Sequence, residues 1–478
     1  MNRSSAGSLF WHDYETFGVD PRRDRPCQFA GQRTDLDLNP IGEPVMLYCR
    51  PAPDFLPDPT SCRITGIGPR LALAKGVNEA EFCTRILAEF AEPGTCVVGY
   101  NNLRFDDEVT RHLLYRCLRD PYEREWKNGN SRWDLMDLVR MTHALRPDGI
   151  HWPTRDGGLP SFRLEALTAA NGIAHQDAHD AMSDVQATIA MARLIRQKQP
   201  RLYDYYFDLR SKHRVLPLLD LAAHTPVVHV SGRFPIERGG IGVVMPLCKH
   251  PTNNNGIVVV DLLRDPSAWL GLDSAAIRER LYARTSDLAA GEERIGLKTI
   301  HINRCPALAP LNVLTPAILQ RYGLDLDAVA ARRQALLARP DLQATLQQVF
   351  LDEPAAAPID PDLALYGGGF FSDADRRLMQ QVHTTPPAAL ASLQTKFQDP
   401  RLPELLFRYR ARNHPETLAP PEQARWHEHC ARRLRGEIPG AGPNAPEFWR
   451  LLEQESELPP ALAQELAEYA RALEKSVP

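Results

Sequence analysis

No two cysteines stand in a Cys-x-x-Cys pair, and the nine present are odd in number and scattered from Cys27 to Cys430. That pattern offers neither a disulfide framework nor a zinc-ligand set, so reduced thiols and a cytoplasmic location are expected. Long apolar runs are also missing. The longest aliphatic stretch, residues 257–263, is broken by Asp261 and falls far short of the roughly 20 residues a spanning helix needs. The N-terminus lacks a basic region followed by an apolar core and does not read as a signal peptide. There is no surplus of positive charge: the net of −4 argues against a protein that coats nucleic acid by bulk attraction, so any such site must be a local groove. Internal repeats and long low-complexity tracts are absent.

What remains is ordinary globular composition, 43% hydrophobic, 24% charged and 8% aromatic, over 478 residues, which is enough for two or three domains. Arginines cluster at Arg132, Arg140 and Arg146, and basic residues again at Arg201, Arg210, Lys212 and Arg214; each cluster reads either as a groove wall or as a solvated face.

Leu9-Phe10-Trp11 opens a strand that runs into His12-Asp13-Tyr14-Glu15, and strands over 28–34 and 45–50 complete a meander around a turn at Asn39-Pro40-Ile41-Gly42. A helix over 79–91, a strand over 95–100, and helices over 107–118, 133–145, 164–170 (capped near Ser161) and 181–197 follow, which predicts an α/β layer fold. Beyond Pro200 strand-like runs take over (227–231, 242–246, 257–262, 297–302), and beyond the Pro/Ala linker at 352–358 the pattern is helical. The expected domains are therefore 1–200, 201–353 (β-rich) and 354–478 (all-α).

Asp13 and Glu15 are two apart on a strand and leave the same face. Like charges that close raise each other's pKa unless a cation lies between them, and a hard divalent ion with oxygen ligands is the usual solution; an exposed polar strand face is the plainer alternative. Asp106 follows a buried-looking strand at the start of a helix, where α/β sheets place chemistry and where a helix dipole also favours an acid. His179 precedes Asp184 by five positions at another helix start. Asp184 would point off the first turn, while His179 stays on the preceding loop, free to take a proton from water; a cap or surface role is the alternative.

Taken together, order and spacing resemble the DEDD exonuclease superfamily, in the subclass with a His-x-x-x-x-Asp third motif. The resemblance implies a ribonuclease H-like fold and two Mg2+ ions, with Mn2+ as a substitute, roughly 3.5–4 Å apart, one activating the attacking water and one stabilising the leaving oxygen. It assigns Asp13, Glu15 and Asp184 to metal, Asp106 to the second ion, and His179 to general base.

The surrounding text is similar to the bacterial exodeoxyribonuclease I family: residues 12–18, 100–111, 159–165, 178–182, 228–232, 301–303, 369–376 and 409–413, so that the likeness spans nearly the whole chain. That implies a Src-homology-3-like second domain and a helical third domain closing a ring over single-stranded DNA, 3′→5′ degradation to 5′-mononucleotides in DNA repair or recombination, a monomer, and a bacterial cytoplasmic, nucleoid-associated setting. It makes Arg163 a phosphate contact, with Phe162 beside it, Glu15 near the terminal nucleotide, and Arg111 and Arg140 as further contacts. Trp126 and Phe105 read as core. The family also docks the acidic tail of single-stranded-DNA-binding protein; Arg146 and Tyr205 match that pocket, while Thr225 stands where a basic residue belongs. Departures at 236–242 and in the last 60 or so residues, where a Gly/Pro loop intrudes, bear on DNA grip and not on the chemistry.

Two competing readings remain. A polymerase proofreading subunit, an oligoribonuclease or ribonuclease T would be about one domain long, and nearly 280 residues beyond Pro200 argue against them. A single-stranded-DNA-binding adaptor with a decayed nuclease should have lost a ligand, yet all five positions are present.

Overall fold

A computed structural model describes residues 7–155, 157–175, 180–288, 294–351, 360–393 and 395–477. The chain divides into two compact units, Met1–Ser131 with His175–Ile189 and Ala356–Pro478, and Arg132–Ala174 with Ala190–Ala355.

The first unit is built on a mixed sheet in the order β3-β2-β1-β4-β5. Its strands are β1 (Ser8–Thr16), β2 (Pro26–Thr34), β3 (Pro40–Tyr48), β4 (Thr95–Gly99) and β5 (Ser131–Asp134), the last lying where the chain passes from one unit to the other. β1 runs antiparallel to β2 and parallel to β4. Every residue of β4 is buried, as its continuous run of small and β-branched residues requires of a strand covered on both faces. β3 begins at Pro40, where a turn was expected. As an edge strand it tolerates proline at its first position, and Gly42 adopts φ +68.

One face of β1 packs Phe10 and Tyr14 into an aromatic core with Phe29, Phe82 and Phe90; the Tyr14 and Phe29 ring centroids are 4.9 Å apart and those of Phe10 and Phe90 5.7 Å. This core continues without a break into Leu365, Met379, Leu405 and Tyr409, so helices Asp373–Thr384 and Leu402–Asn413 share it with the sheet. A second cluster joins Phe17, Phe55 and Cys62 to Phe448, Leu466 and Leu473. The Gly/Pro loop expected near 436–445 does separate helices Pro420–Leu434 and Ala445–Gln454.

Arg412 ties these parts together. Its guanidinium grips Asp54 (Nε–Oδ1 3.1 Å, Nη2–Oδ2 2.8 Å) and Asp362 (Nη1–Oδ1 3.0 Å), and Arg408 reaches Asp362 at 2.9 Å. Burial alone would push the Asp54 carboxyl up, but Arg412 and Arg433 outweigh it and hold it well below the usual carboxylate range. Removing one partner of such a buried pair strands the other charges, so Arg412→Ala is expected to cost about 3–5 kcal/mol in denaturant unfolding. A change under about 1 kcal/mol would contradict that account.

The second unit holds an antiparallel sheet in the order β10-β6-β7-β8-β9. Its strands are β6 (Val227–Val230), β7 (Ile241–Lys249), β8 (Gly256–Asp261), β9 (Leu297–His301) and β10 (Leu308–Pro310). Four of these match the strand-like runs; the three-residue β10 is too short for periodicity to register. The region is less purely β than expected, since Ser274–Tyr282, Pro316–Tyr322, Leu326–Leu337 and Leu342–Leu351 are helical. The same unit contains helices Leu135–Leu145 and Leu164–Ala170. The N-cap of the latter is Arg163, without a side-chain cap bond, in place of Ser161. All nine cysteines are buried, and none is in a disulfide.

Candidate active site

On β1, β4 pairs with Ser8–Trp11, so Asp13 and Glu15 lie beyond the stretch paired with β4, held on their other side by β2. The chain leaving β4 then turns. Gly99 permits the turn: a Cβ there would sit 2.7 Å from the Cβ of Asn102 and 3.0 Å from the His12 carbonyl oxygen. Asn101 takes φ +67, and the loop delivers Asp106 to the first position of helix Asp106–Arg116. There the Tyr14 amide donates to Asp106 Oδ1 at 3.2 Å, and the Thr110 hydroxyl donates to the Asp106 carbonyl at 2.9 Å. One bond locks the acid to the strand that carries Asp13 and Glu15; the other holds it in the helix.

The third contribution comes from helix Ala181–Lys198. Asp180 caps it, its Oδ1 accepting from the Ser183 amide at 3.1 Å, and Asp184 lies on the first turn with its amide on the Asp180 carbonyl at 3.0 Å. Ligand oxygens of Asp13, Glu15 and Asp184 fall within 4.8 Å of one another. Octahedral coordination at about 2.1 Å places oxygens roughly 3–4 Å apart, so a small inward movement would close them on one ion.

The electrostatics call for that ion. Burial raises the Asp13 carboxyl well above its ordinary range, and Asp106, Glu15, Asp184 and Asp180 raise it further. Glu15 is pushed up to about 9, first by burial and then by Asp184, Asp106 and Asp180. Among these causes no cation appears. Because the folded state holds the Glu15 proton above the unfolded value of 4.5, its contribution is most favourable at low pH and is lost as pH rises toward about 9. The metal-free protein is therefore expected to melt at progressively lower temperature between pH 5 and 9, with Mn2+ or Glu15→Gln removing much of the slope. A flat melting profile in chelator would contradict it.

Asp54, Asp362 and His429 also converge, but there the Arg412 guanidinium already supplies the positive charge and the cluster is structural. His179 lies outside the described residues.

The remaining expected site residues separate. Arg163 is 81% exposed, its nearest acid being Glu165 at 4.0 Å. Phe162 packs edge-on against His143, with centroids 5.2 Å apart. Arg140 bonds Asp137 at 2.9 Å, and its guanidinium lies 3.1 Å from where a Cβ on Gly232 would be, so Gly232 leaves it room. Arg146 caps the end of helix Leu135–Leu145, and the Tyr205 hydroxyl donates to the Leu308 carbonyl at 2.9 Å. Arg111 is 4% exposed and bonded to Glu125 (2.7 and 3.0 Å) and Glu108 (2.7 Å), so internal carboxylates hold its guanidinium. Trp126, expected in the core, is 66% exposed. Asp180 and His175 were missed. Asp180 could have been found as the acid immediately before a helix; the contact of His175 with Asp184 has no sequence signal.

Comparison with known proteins agrees with this geometry. Residues 10–192 match an exonuclease family model, 210–352 the exonuclease I SH3-like domain and 359–473 the exonuclease I C-terminal domain. Exodeoxyribonuclease I of Escherichia coli K12 is 50% identical over 431 residues, covering 90% of each chain. The chain belongs to the exodeoxyribonuclease I family. The Haemophilus influenzae exodeoxyribonuclease I is 47% identical over 429 residues, covering 89% of this chain and 90% of the relative. Exonuclease I of Methylocaldum szegediense superposes with TM-score 0.92 at 51% identity, and E. coli exonuclease I in complex with a dA16 oligonucleotide with TM-score 0.92 at 47%. Each covers 98% of this chain, and this chain covers 99% of each. The family's order of parts holds here: an α/β ribonuclease H-like exonuclease domain, a Src-homology-3-like barrel and a helical C-terminal domain.

Proposed function

We propose that this exodeoxyribonuclease I family member degrades single-stranded DNA from its 3′ end, releasing 5′-mononucleotides by metal-dependent phosphodiester hydrolysis in DNA repair or recombination. The observation that carries the reading is the convergence of the ligand oxygens of Asp13, Glu15 and Asp184, together with Asp106 bonded to the same strand. The family relation to exodeoxyribonucleases, one solved with an oligonucleotide, supports the substrate.

The donor set suits hard divalent ions, Mg2+ with Mn2+ as a substitute. In our reading Asp13, Glu15 and Asp184 hold one and Asp106 contributes to a second; such ions supply positive charge to the attacking and departing oxygens. His179 accepts a proton from the attacking water. Arg163, exposed at the start of its helix, takes a backbone phosphate; Phe162 and Arg140 are offered as further DNA contacts, and Glu15 as a contact of the terminal nucleotide. Arg146 and Tyr205 are offered as contacts for the acidic tail of single-stranded-DNA-binding protein. The domain limits are taken as 1–200, 201–353 and 354–478, close to the family-model spans. A monomer acting in the bacterial cytoplasm at the nucleoid completes the reading; among the described residues no helix is long and apolar enough to cross a membrane.

The deciding assay compares 3′- and 5′-labelled single strands, duplex and RNA with Mg2+ and with a chelator. Mononucleotide release from the 3′ label of single-stranded DNA, stopped by the chelator, is expected. Cleavage that persists in chelator, or that prefers RNA, would overturn it.

A further inference from the structure

Of the acids at the site, Asp184 stands on a helix turn and not on the sheet, and the bonds that build that turn hold its backbone. Its amide is on the Asp180 carbonyl at 3.0 Å and its own carbonyl accepts from the Thr188 hydroxyl at 2.7 Å. Neither involves the carboxylate, whose orientation is set by what its oxygens meet. Asp184 and its neighbours repel one another, since its charge helps push up both Asp13 and Glu15, which are buried away from water. Left to itself, this carboxylate would swing away from its neighbours and would have to be drawn back whenever a cation entered.

A second side chain meets that carboxylate. His175 Nε2 lies 2.5 Å from Asp184 Oδ1, and the imidazole side chain is 4% exposed. An ionised carboxylate only accepts, so the ring nitrogen donates. We infer that His175 is a positioning residue for Asp184: by holding Oδ1 it sets the orientation in which this carboxylate meets Asp13 and Glu15 around a divalent cation. The inference rests on the metal-dependent reading of the site. An imidazole suits the task because it donates a directed hydrogen bond without needing a full charge, whereas a lysine or arginine there would compete with the cation for the same oxygens. Hydrogen bonds to metal-ligating groups typically govern about 10- to 100-fold in metal affinity or activity. His175 acts through Asp184 and touches no reacting atom, so its effect belongs in how tightly the cation is held.

The test uses the full chain and three substitutions. His175→Phe keeps a flat ring and removes the donor, His175→Ala removes both, and His175→Gln keeps a donor. Mn2+ binding is measured directly by calorimetry without DNA, alongside the Mn2+ concentration that half-saturates cleavage and the melting temperature in chelator. His175→Phe and His175→Ala should weaken Mn2+ binding about 10-fold or more and raise the half-saturating concentration in proportion. The rate at saturating metal should recover to within a few-fold. His175→Gln should stay within about 3-fold of the parent on both readouts. Should the alanine variant fail to fold, the Phe and Gln pair decides alone. Parent-like Mn2+ affinity in His175→Phe, or equal losses in Phe and Gln, would overturn the positioning role. If the parent protein itself bound no Mn2+ and cut DNA in chelator, the metal-dependent reading would fall first, and the parent control distinguishes that case.

Discussion

Asp13→Ala is expected to lose cleavage by at least about 10³-fold while single-stranded DNA binding stays within a few-fold of the parent. A divalent ion at a reacting oxygen stabilises charge by several kcal/mol, and each ~1.4 kcal/mol is a factor of ten in rate. Asp13 is the carboxylate on which Asp106, Glu15, Asp184 and Asp180 all act, so it sits at the centre of the acid cluster and its loss should be the hardest to replace. DNA affinity has a different source. Strands are held by cationic and amide contacts to phosphate, and removing a negative charge near the terminal phosphate does nothing to weaken those. The metal-free variant should also melt no lower than the parent, because a buried acid repelled by Asp106, Glu15, Asp184 and Asp180 has gone. That separates loss of chemistry from loss of fold. The measurements are single-turnover rates on a labelled oligonucleotide, equilibrium binding in chelator and thermal melts. A loss of binding as large as the loss of rate would show that Asp13 serves the strand and not the reaction.

How much of this could be read in the sequence depended on whether the signal was local. Asp13 and Glu15 alternate on a strand, and a period of two puts them on one face whatever surrounds them. Asp106 and Asp184 stand at helix starts, where caps and dipole preferences leave a mark. Strand β4 and helix Leu164–Ala170 were readable for the same reason. What escaped was long-range. Arg111 reads as a free cation on a helix, and only the fold shows Glu125, fourteen positions on, taking its guanidinium. Trp126 reads as core because tryptophan usually is, yet the following Lys127–Gly129 turn leaves it outside. His175 is nine positions from Asp184, a spacing with no periodicity to mark it. The linker at 352–358 suggested an independent helical domain, yet the helices beyond it complete the aromatic core of β1. Hydrophobic pattern says that a face is buried and is silent about which face covers it.

His179→Ala is expected to lower kcat by about 10²–10⁴-fold, the usual contribution of a general base, with metal and DNA binding near normal. This residue precedes the helix that carries Asp184 by two positions. An imidazole with an ordinary pKa of about 6.5 is mostly neutral near pH 7 and is able to accept a proton from water. The carboxylates around the site are a poor substitute. Glu15 is held near 9 by burial and by Asp184, so in the absence of a cation it is protonated at neutral pH, and once it ligates a cation its lone pairs are committed. A separate base meets that need, and in the proposed reading it is His179, five positions before Asp184 in the sequence. Two readouts distinguish this role from a structural one. The acid limb of the parent's pH–rate profile should vanish in His179→Ala, because the group whose protonation causes it has been removed. Mn2+ affinity should stay within a few-fold, in contrast to the loss expected when His175 is replaced by phenylalanine. A His179→Ala protein with parental kcat and an unchanged acid limb would remove the histidine from the mechanism and leave proton transfer to solvent.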